Sequence, residues 1–151
     1  MSAFPEQRFS IITLGVTSVE ASRAFYEGIL GFKPFMTDKI VMYNLGSIAF
    51  GLWERGKLHE DIGLMGNTCP PGICPNFAIA YNTRSEAEVD AIFERLKAAE
   101  VEITKPPHKA DWGGYSGYFL DPDNNAWEAV YNPFWKLTEK GAPQMPEVVS
   151  G

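Results

Sequence analysis

The residues best placed to do chemistry in this 151-residue chain lie between His108 and Tyr131. Glu128 falls on a predicted short strand, about Ala126 to Tyr131, just after the turn Asp121-Pro122-Asp123-Asn124-Asn125. Pro122 pre-sets its own φ, and Asp and Asn side chains bond nearby backbone, so the turn reverses tightly. Side chains alternate along a strand, so Trp127, Ala129 and Tyr131 take one face while Ala126, Glu128 and Val130 take the other. A carboxylate on that second face can be read in three ways. It could be a structural remnant, at the cost of burying an unpaired charge. It could be a general acid or base, its pKa raised by desolvation. It could also recognise a ligand by accepting hydrogen bonds from an amine or hydroxyl.

The run Lys109 to Tyr118 leads into the same region. Gly113, Gly114 and Gly117 free its backbone, and Trp112, Tyr115 and Tyr118 offer flat apolar surface with polar handles. These rings are candidate ligand-binding groups that could cap a pocket, or they fill the core or a dimer interface. His108, in the Lys-Pro-Pro-His run, is a further candidate, although an exposed loop position is its simpler reading. Trp53 could form an aromatic wall. Cys69 and Cys74, with four residues between them and prolines around them, lack the further ligands of a structural zinc site and read as reduced thiols or a local disulfide or redox pair.

Two amphipathic helices must position these groups. Thr17-Ser18-Val19-Glu20 has capping-box form, and Val19, Ser22, Phe25, Tyr26, Ile29 and Leu30 follow at spacings of three and four before Gly31. Ser85-Glu86-Ala87-Glu88 repeats the form, with Val89, Ile92, Phe93, Leu96 and Ala99 as its stripe. Each helix follows a strand-like run, Phe9 to Val16 and Asn76 to Asn82. Each leads into further strands, about Ile40 to Tyr43 with Ile48 to Glu54, and Ser116 to Leu120 with Ala126 to Tyr131. This is an internal duplication with an offset of 67 residues between Ser18 and Ser85. The predicted organisation is a single domain. Module one spans about 8–55, a linker about 56–75, module two about 76–133 and a loosely packed tail 134–151.

Ile12, Leu14 and Val16, with Phe77, Ile79 and Tyr81, are expected to pack under the helices. Thr13, Gly15, Ala49, Gly51, Ala78 and Ala80 lie opposite, and small side chains on a concave face leave a pocket unless they only let two layers pack closely. Thirteen basic against nineteen acidic residues give a formal charge of −6, which disfavours a nucleic-acid partner. No apolar run approaches the roughly 20 residues of a membrane span. The start MSAFPEQRFS lacks a secretory pattern, so a cytoplasmic protein is expected.

The paired unit, with GVTSVEASRAFYEGILGFKP in one half and FLDPDNNAWEAVYNP in the other, resembles the glyoxalase, bleomycin-resistance and extradiol-dioxygenase superfamily, also called the vicinal oxygen chelate fold. The resemblance implies an α+β fold of two tandem βαβββ modules forming a U-shaped, partly closed mixed sheet around a central site, often completed in a homodimer. Metal-dependent members draw ligands from matching strands of both modules. Here only Glu128 matches. The other positions fall on Ile11, on Gly51 and on Asn76 or Ala78, so no metal ligand set and no cofactor is expected. The resemblance therefore implies a small-molecule protein with a central pocket, working by metal-independent binding or proton transfer around Glu128. The alternative is a metal-dependent lyase, isomerase or dioxygenase with a rearranged site, for instance one using His108 with Glu128.

Overall fold

The computed structural model describes residues 2–64, 76–120 and 124–146. Eight strands form one mixed sheet: β1 Ile11–Val16, β2 Pro34–Thr37, β3 Val41–Asn44, β4 Ala49–Glu54, β5 Phe77–Thr83, β6 Ile103–Lys109, β7 Tyr115–Leu120 and β8 Ala126–Tyr131. Their order across the sheet is β2-β3-β4-β1-β5-β8-β7-β6. The two central strands, β1 and β5, run antiparallel, and each pairs on its outer side with a parallel strand, β4 or β8. The duplicated sequence thus becomes two equivalent half-sheets meeting at one seam. The fold is α+β with a large mixed sheet, as the vicinal oxygen chelate resemblance implies.

The predicted helix-covered face holds for Leu14, Val16 and Tyr81. Leu14, Val16, Phe50, Leu52, Val41 and Tyr43 pack together under the first helical segment. Tyr81, Phe119 and Ala129 pack under α3, Glu86–Ala98, through its stripe Val89, Ile92, Phe93 and Leu96. The Ser85 hydroxyl caps α3 by accepting from Glu88 N at 3.2 Å. Ser18 likewise caps α1, Val19–Arg23, by accepting from Ala21 N at 3.1 Å.

Three expectations are corrected. After Arg23 the first helix continues as a π-helical stretch, Ala24–Ile29. The wider turn rotates the predicted stripe off the sheet, leaving Phe25, Ile29 and Leu30 exposed while Val19 and Tyr26 pack inward. The expected linker opens with a helix, α2, Arg55–Ile62, capped by the Glu54 carboxylate and ended by Gly63 at φ +90. The described tail residues, 134–146, are packed rather than loose. They form a two-stranded ribbon, β9 Lys136–Leu137 with β10 Pro143–Gln144, and Trp135 meets Phe35 at 5.9 Å between ring centres. Cys69 and Cys74 lie outside the described residues, as do Asp121 to Asp123 of the acidic turn.

Candidate functional site

Glu128 stands on one transverse row of the sheet. Register places it between Ala80 on β5 and Tyr118 on β7, with Ile11 beyond Ala80 and Lys105 beyond Tyr118. On one side its row neighbours are apolar, so water solvates the carboxylate poorly. On the other side they are polar. Glu128 remains half-buried by surface area yet is closely surrounded by protein atoms, the situation of a side chain at the bottom of a dent. Burial, reinforced by the negative charge of Asp61, pushes its carboxyl from the ordinary 4.5 up to about 7. Hydrogen bonds with Ser116 and Tyr118 and the charge of Lys105 oppose that rise without cancelling it.

Asp61 comes from the last turn of α2. That turn is fastened to β6 in three places. The Thr104 hydroxyl donates to the Ile62 carbonyl at 2.7 Å, Lys105 Nζ donates to the Asp61 carbonyl at 3.0 Å, and Nζ lies 3.4 Å from Asp61 Oδ1. Gly63 lets the chain turn there, since a Cβ at its position would stand 2.6 Å from the Thr104 carbonyl oxygen. The other carboxylate oxygen, Asp61 Oδ2, accepts from the Tyr118 hydroxyl at 2.6 Å. Burial, then the carboxylates of Glu128 and Asp61, push the Tyr118 phenol well above its usual 10, so it stays protonated.

The structure sorts the sequence candidates. Tyr118 is buried beside Glu128 and belongs to the site. Trp53 is half-buried against the cluster of Leu58, Ile62, Ala78, Tyr118, Leu120 and Ala126, on the same face. His108 lies in β6 rather than in a loop, paired with Ser116, and its Nδ1 is 3.2 Å from the Pro106 carbonyl. Tyr115 is not part of the site. Strand alternation sends it to the opposite face, where its hydroxyl donates to Asp90 Oδ1 of α3 at 2.7 Å. Trp112 is exposed in the β6–β7 turn, its ring lying over Gly114.

The pocket expected over the small residues is partly filled. Leu58 and Ile62 of α2 pack on Ala78 and Ala126, occupying the space that the absent side chains leave. The larger surface hollows lie elsewhere. One of about 880 Å³ runs beside the arm of residues 2–9, and one of about 470 Å³ lies along α1. Neither includes Glu128.

Sequence reasoning missed Asp61, Lys105 and Ser116. A signal for Asp61 existed: Leu58 and Ile62 stand four apart on one helical face, and Gly63 follows as a stop. Nothing in the sequence connected that helix to Glu128.

The donor set does not fit a divalent metal at the family's positions. Ile11 and Gly51 have no donor, and the remaining position offers at best the Asn76 amide, or none if it falls on Ala78. Asp61 and Glu128 are two carboxylates, but Lys105 and the Tyr118 hydroxyl already occupy the Asp61 oxygens. Among the described residues no three His, Cys, Asp or Glu side chains cluster as a metal site. No helix among them is long and apolar enough to cross a membrane.

Among curated proteins no sequence matches the chain. Solved structures do. One titled as an NAD-dependent benzaldehyde dehydrogenase from Legionella pneumophila superposes with a TM-score of 0.63 at 21% identity, covering 80% of this chain and 96% of that one. The Streptomyces coelicolor methylmalonyl-CoA epimerase in complex with 2-nitronate-propionyl-CoA gives 0.56 at 17% identity over 85% and 96% of the two chains. A glyoxalase-related enzyme from Fulvimarina pelagi is 32% identical over 93% of this chain and 99% of that one, with a TM-score of 0.45. The first two likenesses concern the fold alone. The sequence profile described as Glyoxalase/Bleomycin resistance protein/Dioxygenase superfamily matches residues 8–129, and the chain therefore belongs to that superfamily.

Proposed function

We propose that this protein acts on a small molecule by proton transfer at Glu128, without a resident divalent metal. One observation carries the reading: a closely surrounded carboxyl, pushed to about 7 by burial and by Asp61, stands in register between Ala80 and Tyr118 on the sheet. A group that titrates near neutrality can both give and take a proton at working pH. Ser116 and Tyr118 orient it. Ile11 and Ala80 beside it leave the reacting atom in an apolar setting that keeps bulk water away.

The epimerase among the fold relatives makes a carbon acid next to a thioester carbonyl the first probe. In heavy water the protein should place deuterium on the α-carbon of methylmalonyl-CoA or on C3 of a simple 2-oxo acid, read by mass spectrometry. Glu128→Gln should slow that exchange by about 10²-fold or more. Exchange catalysed equally well by the variant would sink the reading.

A second reading, binding without turnover, is supported by Trp53, which packs against the buried cluster that includes Tyr118. A ligand that quenches tryptophan fluorescence, weakened by Trp53→Ala, yet undergoes no exchange would favour it. The homodimer implied by the superfamily resemblance is supported by the exposed Phe25, Ile29 and Leu30. Sedimentation equilibrium tests it.

A further inference from the structure

The tail leaves β8 through a tight reversal. Asn132 Oδ1 accepts from Phe134 N at 2.9 Å and the Asn132 carbonyl accepts from Trp135 N at 3.3 Å, with Pro133 between them. Asn at the first position and Pro at the second are the residues such a turn favours. It sends two neighbouring rings to distant parts of the sheet. Phe134 lies against the turn between β6 and β7, since a Cβ on Gly113 would stand 3.5 Å from its ring. Trp135 meets Phe35 of β2 at 5.9 Å between ring centres. Yet β2 and β6 are the two outer edges of the sheet. Laid flat, eight strands spaced about 4.8 Å apart would hold those edges about 33 Å from each other. The Cα atoms of adjacent residues stand only about 3.8 Å apart. The sheet therefore curls until its edges approach, and Phe134-Trp135 is a clasp across the mouth. Because α1 and α3 cover the outer face, the enclosed face is the one that carries Glu128.

The clasp is held beyond the rings as well. Arg84 Nη2 donates to the Glu139 carbonyl at 3.2 Å, and the ribbon turn at Gly141 packs against Arg8. The Thr138 hydroxyl steadies that turn by accepting from Ala142 N at 3.0 Å. Rings on a segment fixed at both ends form a wall rather than a swinging flap. Phe35 and Trp135 are both half-buried, so each keeps ring surface for a further contact.

We propose that Trp135, with Phe35, is a specificity-determining wall of the Glu128 site, and that the substrate is an elongated carbon acid with a flat apolar group at its far end. The inference rests on the proton-transfer reading of Glu128 and adds the shape of the substrate to it. Three residues of strand, about 10 Å, take the chain from Glu128 to Tyr131 at the end of β8, where the clasp begins. A molecule whose acidic carbon lies at Glu128 thus meets the clasp only with a group several bonds away. Indole and phenyl surfaces favour an aryl group there, stacked or edge-on.

The test compares 2-oxo-6-phenylhexanoate with 2-oxohexanoate on the full chain in heavy water. Their C3 hydrogens are chemically alike, so a difference in deuterium uptake reports what the phenyl ring touches rather than carbon acidity. The wild-type kcat/KM should favour the phenyl compound by about tenfold or more. Trp135→Leu should bring that ratio close to one, mainly through a higher KM for the phenyl compound. Phe35→Leu should do the same, and it decides if Trp135→Leu fails to fold. A wild-type ratio near one, or a ratio retained in the variants, overturns the proposal. So does an equal loss for the two compounds, which would make the clasp a packing element only. If neither compound exchanges, the proton-transfer reading fails, and calorimetric binding of 2-oxo-6-phenylhexanoate tests the wall alone. Binding weakened about tenfold by Trp135→Leu or Phe35→Leu supports it, and unchanged or undetectable binding overturns it.

Discussion

The Tyr118 hydroxyl stands 2.6 Å from Asp61 Oδ2, a contact that joins β7 to the helix linking the two halves of the sheet. Through it a residue 57 positions away in sequence reaches the strand pair that carries Glu128. Without α2 the Glu128 carboxyl would keep Ser116, Tyr118 and Lys105 beside it but lose the like charge of Asp61.

Stability should fall with rising pH across the Glu128 titration. The folded pKa of about 7 lies above the ordinary 4.5, so the folded state binds the proton more tightly. The stabilising contribution is complete below about 4.5 and is lost as pH rises through about 7. Glu128→Gln stays neutral and should therefore gain on the wild type at pH 8, relative to pH 5, by on the order of 1–3 kcal/mol. Urea denaturation of both proteins at the two pH values measures this.

Gly63→Ala should destabilise the protein by about 1–3 kcal/mol, because φ is +90 and the new Cβ would meet the Thr104 carbonyl oxygen at 2.6 Å. The strain falls where α2 is fastened to β6. As Asp61 is displaced, the Glu128 midpoint should drop as well. A destabilised variant with an unaltered midpoint would separate the helix anchor from the site.

Gly117 faces α3, and a Cβ there would lie 2.6 Å from Phe93 Cζ and 2.9 Å from both the Lys105 carbonyl oxygen and the Pro107 nitrogen. Two of those neighbours are backbone and cannot rotate away. Gly117→Ala should cost about 1–3 kcal/mol in thermal or urea unfolding, while Gly28→Ala, which meets nothing within 4 Å, should be close to neutral.

Dialysis against a chelator should leave the unfolding midpoint and the ligand response unchanged, with elemental analysis finding no stoichiometric zinc, nickel, manganese or iron. One metal per chain, lost on Glu128→Gln, would contradict the metal-free reading.

Much of the fold was legible because strand alternation and helix spacing are local signals. Leu14, Val16 and Tyr81 fell on the helix-covered face, and the Ser18 and Ser85 caps were readable from their neighbours. The π-helical stretch at Ala24–Ile29 was not legible, since its residues fit an ordinary helix equally well. Glu128 was identified from alternation and from the family resemblance. Asp61 and Lys105 were not, because their relation to Glu128 depends on where α2 docks, a long-range contact that no local pattern encodes. Tyr115 lies on the face opposite Glu128, as its alternation with Tyr118 already implied, its hydroxyl donating to Asp90 of α3.

The most direct test of the central claim is the ¹³C NMR titration of Glu128 in the wild-type protein. The account predicts a midpoint of about 7, well above the other glutamates, with the neutral form present at working pH. A midpoint near the ordinary 4.5 would leave Glu128 a permanently ionised carboxylate and contradict the proposed role.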